Sequence, residues 1–205
     1  YAALYTNTTA TANTAFGSRS LQLNTTGNNN TATGYSALCA NTTGAENTAT
    51  GTYALQANTT ASNNTAVGFK SLANTTTGGG NTASGLYAMK ENTTGTNNAA
   101  FGVFALQYNT TASQNVGVGI YAGMKTTTGH HNTSSGYMAA CSNTTGEWNT
   151  AHGAMSQRFA TTGKCSTAYG GYSLYKLTTG NMNTAVGYTA AMCTTTGDYN
   201  TALGT

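Results

Sequence analysis

The chain has 205 residues, of which only 5% are charged, with seven Lys and Arg against four Asp and Glu and no proline. Ordinary soluble domains carry roughly a quarter charged residues, so this surface is built mainly from neutral side chains. The few charges are scattered along the sequence. This pattern gives no basic stripe for nucleic acid and no polybasic membrane patch, and no apolar run is long enough to span a bilayer.

A period of seventeen residues runs through the chain without an insertion or deletion. It is plainest from Asn30 to Glu46, NTATGYSALCANTTGAE, restated from Asn47 as NTATGTYALQANTTASN and from Asn64 as NTAVGFKSLANTTTGGG. Such a strict phase argues against disorder despite the abundance of Asn, Thr and Gly. A fixed short period marks a solenoid, in which each unit buries its apolar face only by stacking on its neighbours. Seventeen residues are too few for two packed helices. They suit one coil of an all-β parallel β-solenoid, a β-roll or β-helix.

With Asn30 as slot 1, the coil can be taken in order. Slot 1 is Asn except at Ser166, and slot 3 is Ala except at Gly117 and Ser134. Slot 5 is glycine in every copy, from Gly17 to Gly204, which predicts a bend needing positive φ or close backbone approach. Slot 8 is Ala or Ser throughout, and slot 9 is mostly leucine: Leu4, Leu21, Leu38, Leu55, Leu72, Leu106 and Leu174. Small slots 3 and 8 with the leucine column predict a narrow inward-facing core. Slots 10 and 11 vary freely, from Gln22 to Lys90 to Arg158, and are expected to face solvent. Slots 13 and 14 are Thr in every copy, and slot 15 is Gly except at Ala10, Ala61 and Ala112, a second predicted corner. Segments of strand-like length lie between the corners. One helical turn over Gly34 to Asn41 is the competing local form, opposed by its shortness and by the Gly, Asn and β-branched density.

Stacking at roughly 4.8 Å per coil makes about twelve copies a rod of about 58 Å with like residues in columns. Asn and Thr columns gain most, because their side chains can hydrogen-bond along the stack. Tyr1 and Thr205 both fall at slot 6. Residues 1–205 are therefore expected to form one repeat array, cut at both ends from a longer chain.

The same columns test for chemistry. Glu147 and Asp198 share slot 16 but stand three coils apart, about 14 Å, beyond the separation a two-carboxylate mechanism uses. His131 and Cys165 share slot 17 two coils apart, about 10 Å, with Trp148 between them, too far for one metal ion. His130, Glu147 and Lys164 follow one another at slot 16 as a surface column. Cys39, Cys141, Cys165 and Cys193 occupy slots with no evident pairing and are expected as small buried or half-buried side chains. No catalytic, cofactor or metal residue is assigned, and the chain is read as a non-enzyme.

The informative variation lies at slots 4, 6 and 7, where Leu86, Tyr87, Phe101, Val103, Phe104, Val118, Ile120, Tyr121, Tyr137 and Met138 stack into an apolar stripe. Slots 4 and 6 have the parity opposite to inward slot 3, so part of the stripe should face outward and form a subunit interface. If the wall turns at slot 5, the stripe is core instead. Asn-Thr-Thr recurs at Asn7, Asn24, Asn41, Asn58, Asn92, Asn109 and Asn143, with further sequons at Asn29, Asn63, Asn74 and Asn132. These are acceptor sites in a secreted glycosylating context, or simply turn-and-ladder chemistry of the repeat.

The unit NTAxGxxALxxNTTGxx resembles repeat arrays of long viral and phage tail or surface fibre proteins. It is more loosely similar to the head repeats of trimeric autotransporter adhesins, whose period is shorter. The resemblance implies a homo-oligomeric fibre, a trimer or filament, extracellular or on a virion or cell surface. It also implies an adhesive role towards a cell-surface receptor or glycan. The alternative is a single-chain binding solenoid that meets a glycan or an ice surface through its Thr and Asn columns. For ice, slots 13 and 14 are a poor match, because neighbouring residues in a strand point to opposite faces.

Overall fold

The computed structural model describes residues 2–205, so Tyr1 lies outside the described residues. Each coil contributes one three-residue strand at slots 2–4. The strands are β1 Thr14–Phe16, β2 Thr31–Thr33, β3 Thr48–Thr50, β4 Thr65–Val67, β5 Thr82–Ser84 and β6 Ala99–Phe101. They continue as β7 Val116–Val118, β8 Thr133–Ser135, β9 Thr150–His152, β10 Thr167–Tyr169, β11 Thr184–Val186 and β12 Thr201–Leu203. All twelve form one parallel sheet in chain order. Partners stand one period apart, as in Thr31↔Thr48, Ala32↔Ala49 and Thr33↔Thr50. The expected all-β parallel solenoid of stacked 17-residue coils is the fold.

Along each strand from β2 to β11 the middle residue is buried and its neighbours face outward, as β-pleating requires, and in the end strands β1 and β12 it is half-buried. Buried Ala at slots 3 and 8 and Leu at slot 9 build the predicted narrow core, continuous from Leu21 to Leu106. The core then thins, because slot 9 becomes Gly123, Ala140 and Gln157. Leu106 expands into the first gap: a Cβ added at Gly117 or Gly123 would lie 2.8 or 2.7 Å from its side chain. The apolar core resumes around Ala168, Leu174 and Leu177. Gln157 is buried between the two parts, with Nε2 donating to the Ser166 carbonyl at 3.0 Å and Oε1 left without a partner.

The rest of the coil is not strand, contrary to the expected several strand-like walls. No helical turn forms over Gly34 to Asn41 either. Slots 7, 9 and 17 take the left-handed conformation in coil after coil, as at Ser36 (φ 55), Leu38 (φ 50) and Glu46 (φ 60). A left-handed non-glycine residue costs on the order of 1 kcal/mol. Here it turns the peptide so that its N–H points along the axis. Ser36 and Glu46 donate to Ser18 and Asn28 of the preceding coil at 3.0 Å, and Leu38 donates to Ala54 of the following coil at 3.0 Å. An extended wall would lack these turns, so the backbone is bonded from coil to coil without being sheet.

The two glycine slots do different work. Slot 5 holds φ from 109 to 145, open to glycine alone, and a Cβ on Gly119 would meet the Gly136 carbonyl oxygen at 2.7 Å. Slot 15 is not left-handed. Its glycine allows close approach, since a Cβ on Gly44 would collide with the Ala61 carbonyl oxygen. Around it lies the clasp of the coil. The Gly44 carbonyl accepts from Asn30 Nδ2 at slot 1 (2.8 Å) and from Asn41 Nδ2 at slot 12 (2.9 Å). Both asparagines are fully buried. Their Oδ1 atoms bond to the next coil, Asn30 accepting from the Asn47 backbone N–H (3.0 Å) and Asn41 from Asn58 Nδ2 (2.7 Å). At slot 13, Thr42 Oγ1 donates to the Thr59 carbonyl at 3.0 Å, and the N–H groups of Thr42, Thr43 and Gly44 converge on the same oxygen.

Candidate interaction surfaces

The ten stripe residues lie outside the core. Leu86, Phe101, Val118, Ile120 and Tyr137 are exposed, whereas Tyr87, Val103, Phe104, Tyr121 and Met138 are half-buried. The stripe is therefore surface and not core, by strand parity at slot 4 and beyond the glycine corner at slots 6 and 7. It is not one plane, however. Phe101 and Val118 stand on the strand face, and the slot 6 and 7 residues follow the glycine corner.

Beyond that corner the rings form a continuous ladder. Tyr87 stacks on Phe104 (centroids 5.5 Å, planes 12° apart), Phe104 on Tyr121 (5.2 Å, 5°), and Tyr121 meets Tyr137 edge-on at 6.5 Å. The ladder extends through three residues the sequence reasoning missed, Tyr35, Tyr53 and Phe69, with edge-to-face contacts of 5.4, 6.2 and 5.4 Å. Their signal was present but split, because the ring alternates between slots 6 and 7 from coil to coil. Each contact contributes about 0.5–1.5 kcal/mol beyond area burial. Lys70 Nζ lies 5.5 Å from the Tyr53 ring and 5.4 Å from that of Phe69, and Lys90 Nζ 5.8 Å from that of Tyr87. Arg19 beside Tyr35 holds the phenol below its usual range, and Tyr35 in turn raises the guanidinium.

The sequon asparagines divide by burial. Asn24, Asn41, Asn58, Asn92, Asn109 and Asn143 are buried slot 12 members, each amide nitrogen committed to the carbonyl three residues on. A glycan on any of them would break that clasp and has no room in the folded coil. Asn7 is exposed, as are Asn29, Asn63 and Asn74 of the further sequons, while Asn132 is buried.

Among the described residues the histidines, cysteines and carboxylates do not gather into one group. At slot 16 Lys164 Nζ pairs with Glu147 at 3.2 Å, and His130 Nδ1 accepts the Ser113 backbone N–H at 3.0 Å. His131 stacks on Trp148 at 3.9 Å. Lys90 Nζ pairs with Glu91 at 2.6 Å. With Asn74 Nδ2 donating as well, the Glu91 carboxyl sits below its usual range, chiefly through the lysine. The cysteines are all free. Cys39 is half-buried and Cys141 buried as expected, but Cys165 and Cys193 are exposed, because slot 17 and the last full coil face solvent. Burial pushes the Cys141 thiol up. Among the described residues no three His, Cys, Asp or Glu side chains gather as a metal site, and no helix is long and apolar enough to cross a membrane.

No protein-family model matches the chain, nor does any curated protein or solved structure compared with it.

Proposed function

We propose that this chain is the repeat shaft of a structural fibre or filament, displayed outside a cell or on a virion, which associates with its own copies and contributes to adhesion. The observation that carries this reading is the exposed apolar stripe along the solenoid axis, with Leu86, Phe101, Val118, Ile120 and Tyr137 between 39% and 46% exposed. Contiguous apolar surface of this kind favours a partner. Copies aligned in register would repeat one contact at every coil, and each further half-exposed side chain covered would add about 1 kcal/mol.

The test is the native mass of the assembly together with electron-microscope images of the purified chain. Rods or filaments containing several chains are expected, with V118D/I120D shifting them towards single chains. A wild-type chain that stays monomeric across concentrations overturns the self-associating fibre.

One observation favours a second reading, a binding solenoid. Slot 14 is exposed from Thr9 to Thr196, makes no side-chain hydrogen bond, and yet is Thr in every copy. Slots 11 and 17, which are also largely exposed, diverge freely. Strands β2 and β3 add outward Thr31, Thr33, Thr48 and Thr50, a Thr-x-Thr arrangement that slot 4 does not continue. The Asn columns, being buried, belong to the clasp. Thermal hysteresis at micromolar protein would support this reading for ice.

A further inference from the structure

Charges that look scattered along the sequence are sorted by the fold. Six of the seven cations, Arg19, Lys70, Lys90, Lys125, Arg158 and Lys176, fall at slots 7, 10 and 11, and only Lys164 lies elsewhere. These slots form one face: Arg19 Nε donates to Gln22 Oε1 at 3.0 Å, Tyr172 at slot 7 touches Tyr175 at slot 10 (5.3 Å), and Arg158 covers the Phe159 ring at 4.7 Å. A single acid, Glu91, shares the face and is neutralised by Lys90. The other three, Glu46, Glu147 and Asp198, stand at slots 16 and 17 with Lys164. The slot 7–11 face thus carries +5 and the slot 16–17 edge −2, which together make the chain's net +3.

The cations form a file over nine coils, about 43 Å, with steps of one to three coils, about 5–14 Å. The uncharged amides of Gln22, Gln56 and Gln107 stand in the same slot 10 column. A like-charged face repels a second copy of itself. The acidic edge does not complement it either, since Glu46, Glu147 and Asp198 are six and then three coils apart, about 29 and 14 Å. The aromatic ladder also restricts the occupant. Both faces of Phe104 are covered by Tyr87 and Tyr121, so the ring at the centre of the ladder offers no platform of the kind on which single-stranded bases stack.

We propose that the slot 7–11 face binds a linear acidic polysaccharide along the solenoid axis. Its carboxylates or sulfates pair with Arg19, Lys70, Lys125, Arg158 and Lys176, and its hydroxyls meet the glutamines between them. This deepens the adhesive part of the fibre reading but does not need self-assembly, since a single chain carries the whole file. Native mass tests the fibre and binding tests this face, so the two can fail separately.

The experiment titrates the purified chain at low ionic strength with heparin fragments, polygalacturonate, neutral dextran and oligo-thymidylate. Binding to the two acidic polysaccharides, weakening with salt, is expected, with none to dextran. Lys125→Glu and Lys164→Glu change the net charge equally, but only the first removes a member of the file. K125E should weaken binding several-fold and R19E/K125E/K176E by at least about tenfold, while K164E leaves it unchanged. The three substituted side chains are exposed, and far-ultraviolet circular dichroism confirms the fold. K125Q/K176Q gives a milder check of the same direction. No binding of either acidic polysaccharide overturns the proposal. So does an equal loss in K164E, or tighter binding of oligo-thymidylate than of both polysaccharides.

Discussion

Completing the interrupted asparagine ladder should stabilise the solenoid. At slot 12 the column runs Asn7, Asn24, Asn41 and Asn58, then meets Thr75 before resuming at Asn92 and Asn109 and meeting Thr126. Where it runs unbroken, each amide donates to the Oδ1 of the coil before, as Asn58 does to Asn41 and Asn109 to Asn92 at 2.7 and 2.8 Å. Where it meets threonine the donor is missing. Asn58 Oδ1 and Asn109 Oδ1 are accordingly two of the three buried polar side-chain atoms without a partner among the described residues. Thr75 also serves the coil above poorly, since Asn92 Nδ2 reaches its Oγ1 at only 3.5 Å. Thr75→Asn, similar in volume, would donate to Asn58 Oδ1 and to the Gly78 carbonyl, and would accept from Asn92. A buried unsatisfied acceptor costs about 1–3 kcal/mol and a net hydrogen bond contributes about 1. Less the ordering of a longer side chain, the gain should be about 1–2 kcal/mol, or a few degrees in Tm for a chain of this length. Urea unfolding of wild type, T75N and T126N measures it, and each variant should raise the midpoint without changing the slope. Unchanged or lowered midpoints in both would refute the ladder argument, because the orphan oxygens would then have no cost to relieve.

Gly119→Ala should destabilise by about 2–4 kcal/mol, since it combines a glycine-only φ of 128 with a Cβ 2.7 Å from the Gly136 carbonyl oxygen; thermal unfolding reads this directly. A thiol-reactive probe at neutral pH should label exposed Cys165 and Cys193 first, Cys39 next and Cys141 last, because Cys141 is both covered and held as thiol; peptide mapping by mass gives the order. The lowered carboxyl of Glu91 contributes stability that is fully present above its ordinary value of 4.5 and is lost as pH falls through the lower folded value. E91Q should therefore be less stable than wild type by under about 1 kcal/mol near pH 7, and equal to it near pH 2. In a glycosylating host, sugar should appear at Asn7, Asn29, Asn63 or Asn74 and not at Asn41, since the first four are exposed and Asn41 is buried; glycopeptide analysis decides it.

The stacking was legible in the repeat. A period can be counted, and a residue seventeen positions on lies directly above its counterpart, so Gly119 over Gly102 and Leu55 over Leu38 needed no coordinates. Inward slots 3 and 8 were legible for the same reason, since their size is restricted in coil after coil, and slot 9 by its column of leucines. Outward slot 4 followed from strand parity, whereas slot 6 faces out beyond the slot 5 corner, outside the strand. Everything that depends on direction within the turns came only with the fold. Asn41 reads as a turn residue and an acceptor site, yet left-handed Leu38 and Glu46 swing the chain so that its amide closes the coil from inside. The cations at slots 7, 10 and 11 share a face only because the turns at slots 7 and 9 fold slot 10 back towards slot 7. Those dihedrals are held by axial hydrogen bonds to the neighbouring coils, so they belong to the stack and are not written in any one repeat.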